Sequence, residues 1–367
     1  MSGDVSQLQS QEESPQGGGS APRGRRSAVL QLVVGLAVSL LTLWAFSRGV
    51  NLRQLGDTLR ACDLRWLGGS AFLAAFLLVV RGWRWEALLG VYGIGYRGAL
   101  NGVVLGTAAN NVLPARAGEL VRVSWMSAAY SRPMAPLLVT AVVERILDLM
   151  AVAALAVWAA AQASMRPGGA SFGWAAAAGG MALTATGGIA VLVAFAWSGQ
   201  GSGARVLAFV PQRWRKRVEA VAGQVATAVF RDTPPRALLA AAWRTALTWG
   251  LAGVWVWVTV RALGLDLGWK ASFIVLTAIL AGIAIPSAPG FVGTYHLSAM
   301  LALQWLQQPQ GESAAAAVLL HGVSYVVTTA WGAVLALVLA WQARSAARAG
   351  EGSRTEGDSR ERGVPSS

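Results

Sequence analysis

The chain has 367 residues, of which 55% are hydrophobic and 13% charged, about half the charged share of a soluble domain. Its net charge of +13 would raise nucleic acid as a partner in a soluble protein; here the basic residues flank long apolar runs, which points to anionic lipid headgroups and away from nucleic acid. One cysteine, Cys62, and two histidines, His296 and His321, exclude an intrachain disulfide and leave no basis for a structural metal site, and no cofactor motif is present.

Residues 1–26 are rich in Ser, Gln and Gly and close on Arg23, Arg25 and Arg26; they read as a disordered cytoplasmic tail. The uncharged run Ser27–Ser47 has no small-residue cleavage site and reads as a retained first membrane helix. A span needs about 20 mostly apolar residues. Trp66–Leu89 qualifies, with Arg81, Arg84 and Glu86 emerging at an interface. Leu137–Ala161 qualifies despite Glu144, Arg145 and Asp148. Trp174–Trp197, Leu238–Leu263 and Ser313–Gln342 complete six full spans. The 17 Trp against five Tyr suit a chain with many membrane–water interfaces.

Two apolar stretches do not read as plain helices. Gly98–Ala115 is broken by Asn110, Asn111 and Pro114, and Ala271–Leu306 by Pro286, Pro289, Gly290 and Gly293. Proline removes a backbone donor, and freed backbone groups cannot face lipid. Both are expected to be re-entrant hairpins. Residues 200–236 repeat Trp214, Val218, Val221, Val225 and Val229 at helical spacing beside a cationic cluster, as in an amphipathic linker on the inner leaflet. The membrane domain so defined is 27–343, and 344–367 reads as a second disordered cytoplasmic tail.

With both termini in the cytoplasm, only Arg48, Arg53, Arg60, Arg65, Arg166, Arg261 and Lys270 lie outside; Arg145 and Arg244 lie in the membrane, and the rest of the 30 basic residues lie inside. That bias is the positive-inside pattern. Hairpins entering from opposite sides make an inverted repeat an expectation too. The fold class is thus an all-α integral membrane protein.

Three stretches could carry chemistry. In the first, Asn110 and Asn111 can replace lost backbone bonds at the helix break. Arg116 and Arg122 can grip a phosphate bidentately, and Glu119 and Arg122, three apart, can pair. In the second, Glu144 and Asp148 share one helix face and can look into the bundle; Arg145, about 100° round, answers a different partner. These acids suit either a charge pathway or a structural ion pair. In the third, Pro286, Pro289, Gly290 and Gly293 unwind the chain and free carbonyls and amides, as at a midplane transport site. His321 suits a proton carrier or a core histidine equally.

The run Asn111-Val112-Leu113-Pro114-Ala115-Arg116-Ala117-Gly118-Glu119 with Arg122, then Val143-Glu144-Arg145 with Asp148, then Pro286, Pro289-Gly290 and Gly293 resemble the motifs of the flippase-like family that includes the membrane region of lysylphosphatidylglycerol synthases. The resemblance covers about residues 30–340. It implies movement of an aminoacylated or other anionic lipid between leaflets of the inner membrane, with any aminoacyl transfer made by a separate soluble domain for which the short tail after Arg344 leaves no room. The expectation is a stand-alone lipid-handling module, with membrane lipids, above all anionic phospholipid, as partners. The rivals are a membrane enzyme using Glu119 or Asp148 as general acid or base on lipid- or polyprenyl-linked substrates, and a non-catalytic partner of a cell-envelope synthase.

Overall fold

The computed structural model describes residues 23–114, 117–164, 212 and 233–361. Within them it contains ten α-helices and no strand. In chain order they are α1 (Arg23–Ser47), α2 (Leu52–Arg60), α3 (Leu64–Leu89), α4 (Tyr96–Val112), α5 (Gly118–Tyr130), α6 (Met134–Ser164), α7 (Pro235–Arg261), α8 (Trp269–Ala284), α9 (Thr294–Trp305) and α10 (Gln310–Glu361).

Helices occupy the expected spans Ser27–Ser47, Trp66–Leu89, Leu137–Ala161, Leu238–Leu263 and Ser313–Gln342; Trp174–Trp197 lies outside the described residues, as does most of the linker 200–236. Three segments are long and apolar enough to cross a bilayer by themselves: Leu64–Tyr92, Pro235–Arg261 and Gln310–Ala346. Val33–Ser47 and Leu52–Arg60, bent 83° apart, make a fourth if counted together. The segment α2 falls between the expected spans. It is helical because Asn51 caps it, accepting from the N–H groups of Arg53 and Gln54 at 3.0 and 3.3 Å, and none of its residues is buried. Asp63 caps α3 in the same way. At the other end of the chain α10 runs on to Glu361, through the stretch that composition assigns to a tail. Ala and Arg, frequent just after Arg344, are strong helix formers and carry the helix past its apolar part.

Contacts between distant residues fix the directions. Asp63 N–H donates to the Ala262 carbonyl, Ser70 and Thr259 share a hydrogen bond of 2.6 Å, and Arg244 reaches Trp83 and Glu86. The residue numbers fall on one helix as they rise on the other, so α3 and α7 are antiparallel. The loop after α3 and the loop after α7 therefore lie at opposite ends of the bundle. Gln310, at the start of α10, donates to the Arg48 carbonyl just after α1, so α1 and α10 both run away from that shared end in opposite chain directions. One apolar core joins α7, α8, α9 and the first turns of α10; a second, centred on the fully buried Trp85, joins α3, α4, α5 and α6.

Candidate functional site: two helix breaks around one cavity

The first break separates α4 from α5. Pro114 cannot supply the N–H that would continue α4. The Asn110 side chain covers part of the loss: its Oδ1 accepts from the Gly118 N–H at 2.8 Å, spanning the break. Gly118 also lets the two arms touch, since a Cβ there would collide with the Gly106 carbonyl and with Asn110. Asn111 turns the other way and donates to Thr328 and Thr329 of α10 at 2.9 and 2.8 Å.

The second break separates α8 from α9 and contains a single 3-10 turn, Pro289–Phe291. Gly290 has φ 72° and Phe291 φ 58°, left-handed values that cost a bulky residue about 1–3 kcal/mol. Three contacts hold the backbone in place. His321 Nε2 meets the Gly290 carbonyl at 2.7 Å, Ser39 of α1 accepts the Ala288 N–H at 2.8 Å, and His296 Nδ1 accepts the Gly293 N–H at 3.4 Å. The chain's two histidines stand face to tilted face, ring centroids 4.5 Å apart.

The breaks meet. A Cβ on Gly290 would lie 3.3 Å from the Asn111 carbonyl oxygen. Where they meet, the bundle holds a partly open cavity of about 330 Å³. One wall is polar: Arg81 and Arg84 from α3, Thr107, Asn110 and Asn111 from α4, and Arg145 and Asp148 from α6. The rest of the lining is largely apolar and aromatic, with Trp249 and Trp255 from α7, Leu276, Ile279, Leu280 and Ile283 from α8, and Phe291 at the break.

Behind the polar wall lies an ionic cluster. Arg84, 1% exposed, pairs with Glu144 and, at 2.5 Å, with Asp148. Arg122 sits 2.5 Å from Glu119 and 2.7 Å from Glu144, and its guanidinium stacks over Trp85 at 4.3 Å. Arg145 pairs with Glu119 and stands 3.5 Å from Asp148. Trp249 Nε1 donates to Asp148 at 3.1 Å. Burying such charges is costly unless each finds a partner, and here three arginines and three carboxylates interlock across α3, α5 and α6. The expected pairing of Glu119 with Arg122 is present, as are the inward face shared by Glu144 and Asp148 and the separate partner for Arg145.

Over residues 32–332 the chain matches the family model described as the lysylphosphatidylglycerol synthase TM region. The chain belongs to that family. No curated protein and no solved structure matches it.

In this member of the lysylphosphatidylglycerol synthase TM-region family, the residues singled out from sequence separate into groups. Asn110, Asn111, Arg145, Asp148, Gly290 and His321 line the cavity. Glu119, Arg122 and Glu144 stand behind it in the ionic cluster. Pro114 and Pro286 are exposed at the breaks, Pro289 starts the 3-10 turn, and Arg116 lies outside the described residues. Gly293 faces α1, where a Cβ would meet Thr42 and Ser39, and its N–H is occupied by His296. The expected emergence of Arg84 at an interface is corrected: burial against Glu144 and Asp148 holds it inside. The same interfacial placement of Arg81 is corrected, since Arg81 lines the cavity, and Trp249 and Trp255 were not singled out from sequence. Two arginines three residues apart within an apolar span were the available signal, because unlike surface charges they demand carboxylates from another helix.

Proposed function

We propose that the protein binds a phospholipid by its headgroup in the cavity between the breaks and passes it between the leaflets of the inner membrane. The observation that carries this reading is one cavity lined by both charged and apolar side chains at the point where two helix breaks adjoin. A headgroup needs the charged groups, and the glycerol and acyl carbons need the apolar ones. Membership of a family named for a phospholipid synthase supports a lipid as the occupant. The breaks approach from opposite ends of the bundle, on arms of 17 and 16 residues, about 25 Å each and shorter than a hydrocarbon core of about 30 Å. They act as re-entrant hairpins that replace lipid with protein at depth, and the antiparallel α3 and α7 ahead of them give the two halves an inverted relationship. Glu119 and Asp148, the acids that an enzymatic reading would employ, are each engaged in ion pairs with guanidinium groups.

Reconstitution tests the proposal. Purified protein in liposomes should speed the exchange of an acyl-labelled phospholipid between leaflets without altering its chemistry. In a Cys62→Ser background, oxidising a cysteine pair placed at Leu113 and Val292 should arrest exchange, and reduction should restore it. Unaltered exchange with the cross-link formed, or a chemically changed lipid, would sink the proposal.

A further inference from the structure

Resting on the reading just given, we infer that the site selects a headgroup of net negative charge, and that Arg81 is the residue that binds its phosphate. Charge balance motivates this. Arg84, Arg122 and Arg145 are matched by Glu119, Glu144 and Asp148. Arg81 stands one turn from Arg84 on α3 and lines the same cavity, yet no carboxylate of the described residues lies within ion-pair distance of it. Its one hydrogen bond is a 3.4 Å contact to the neutral Thr107, which also lines the cavity. Four arginines against three carboxylates leave the polar side of the cavity with one positive charge in excess. A cation inside an apolar bundle is costly without a counter-charge, and Glu144 and Asp148, which attract Arg81 from beyond ion-pair distance, are already paired with other arginines.

The unused hydrogen-bonding groups carry the same message. Two buried groups on the cavity wall have no partner among the described residues, Arg84 Nε and Trp255 Nε1, and both are donors. The unmatched acceptors, Glu119 Oε2 and Glu144 Oε2, lie in the charge contacts of Arg122, and neither residue lines the cavity. A wall offering spare donors and spare positive charge fits an acceptor-rich anion. A phosphodiester is one, and the planar guanidinium can hold two of its oxygens at once. A zwitterionic headgroup brings its own cation and leaves the excess charge where it was. Register between the antiparallel helices places Trp255 level with Ala74, about two turns from Arg81, so the two donors address different parts of one lipid.

The experiment compares acyl-labelled phosphatidylglycerol with acyl-labelled phosphatidylcholine in liposomes containing wild type, Arg81→Lys or Arg81→Gln protein. Lipid retained on the purified proteins is read in parallel by native mass spectrometry. Wild type should exchange and retain phosphatidylglycerol in preference. Arg81→Gln should lose roughly tenfold of that preference, the worth of one charge-assisted bond, while Arg81→Lys keeps part of it. Circular dichroism and thermal unfolding identify any variant that has merely failed to fold, and Arg81→Lys then carries the comparison. Equal handling of the two lipids by wild type, or an Arg81→Gln protein that folds and retains full preference, overturns the inference and leaves the translocation reading standing. Selective, Arg81-dependent retention without any exchange supports the inference and removes the translocation reading. A wild-type protein that neither exchanges nor retains lipid removes both.

Discussion

At the scale of single residues, the cluster around Arg84 shows what spacing in a sequence can and cannot convey. That Glu144 and Asp148 share a face follows from a separation of four. That their partner is Arg84 does not, because the pair is brought together by helix packing across some 60 positions of chain. Local order could offer only the paradox of an arginine within an apolar span. The energetic consequence is specific. Replacing Arg84 by Leu takes from the buried Glu144 and Asp148 the guanidinium that they share, whereas replacing exposed Arg60, paired with Asp57 at 3.5 Å in solvent, removes a bond of little worth. Arg84→Leu should therefore destabilise the protein by about 3–5 kcal/mol, and Arg60→Leu by less than about 1 kcal/mol. Thermal unfolding in detergent, followed by tryptophan fluorescence, measures the difference. Similar midpoints for the two variants would show that the cluster does not depend on Arg84.

At the scale of elements, both breaks were legible from proline, glycine and asparagine, while their outgoing arms were not equally so. The second hairpin keeps an apolar composition on both sides, and its observed arms, α8 and α9, fall within the expected Ala271–Leu306 apart from two residues at the start. The first hairpin's outgoing arm, α5, carries Glu119 and Arg122 and reads locally as a polar loop; those charges are neutralised by α6, which no local pattern reveals. Gly293 makes a related point. Its place in an unwound segment was readable, but its neighbour was not: it has φ 94° and packs on Ser39 and Thr42 of α1. A side chain there is strained and also pushes α1 off the second break. Gly293→Ala should cost about 1–3 kcal/mol from the backbone alone. It should also weaken disulfide formation between cysteines placed at Ser39 and Ala288, whose native hydrogen bond marks the α1 contact. Undiminished cross-linking in Gly293→Ala would show that α1 docks independently of this glycine.

At the scale of the whole molecule, the direction of each helix converts a charge count into a topology that can be tested. The segment after α1, the turn after α7 and the start of α10 share one end of the bundle, through Gln310 with Arg48 and Asp63 with Ala262. The turn after α3 and the turn between α5 and α6 share the other, where a Cβ on Gly93 would lie 3.5 Å from Arg132. Arg48, Arg53, Arg60 and Arg65 at the first end run against the positive-inside pattern for an external surface. Part of that is answered locally: Arg48 stacks over Trp44 at 4.4 Å and Arg60 is balanced by Asp57, so both serve the interface beside α2. The second end precedes Arg236 and receives the polar continuation of α10 with Arg344 and Arg348, and on the positive-inside pattern we predict that it faces the cytoplasm. Thr58 on α2 should then face outward and Ser131, in the turn after α5, inward. In a Cys62→Ser background, Thr58→Cys should react with a membrane-impermeant maleimide in intact cells, and Ser131→Cys only after the membrane is opened. Labelling of Ser131→Cys from outside with Thr58→Cys protected would invert the assignment. Labelling of both from outside would mean that α3 does not cross. That outcome would place the two breaks on the same side of the bilayer and remove the inverted relationship on which the meeting of the hairpins depends.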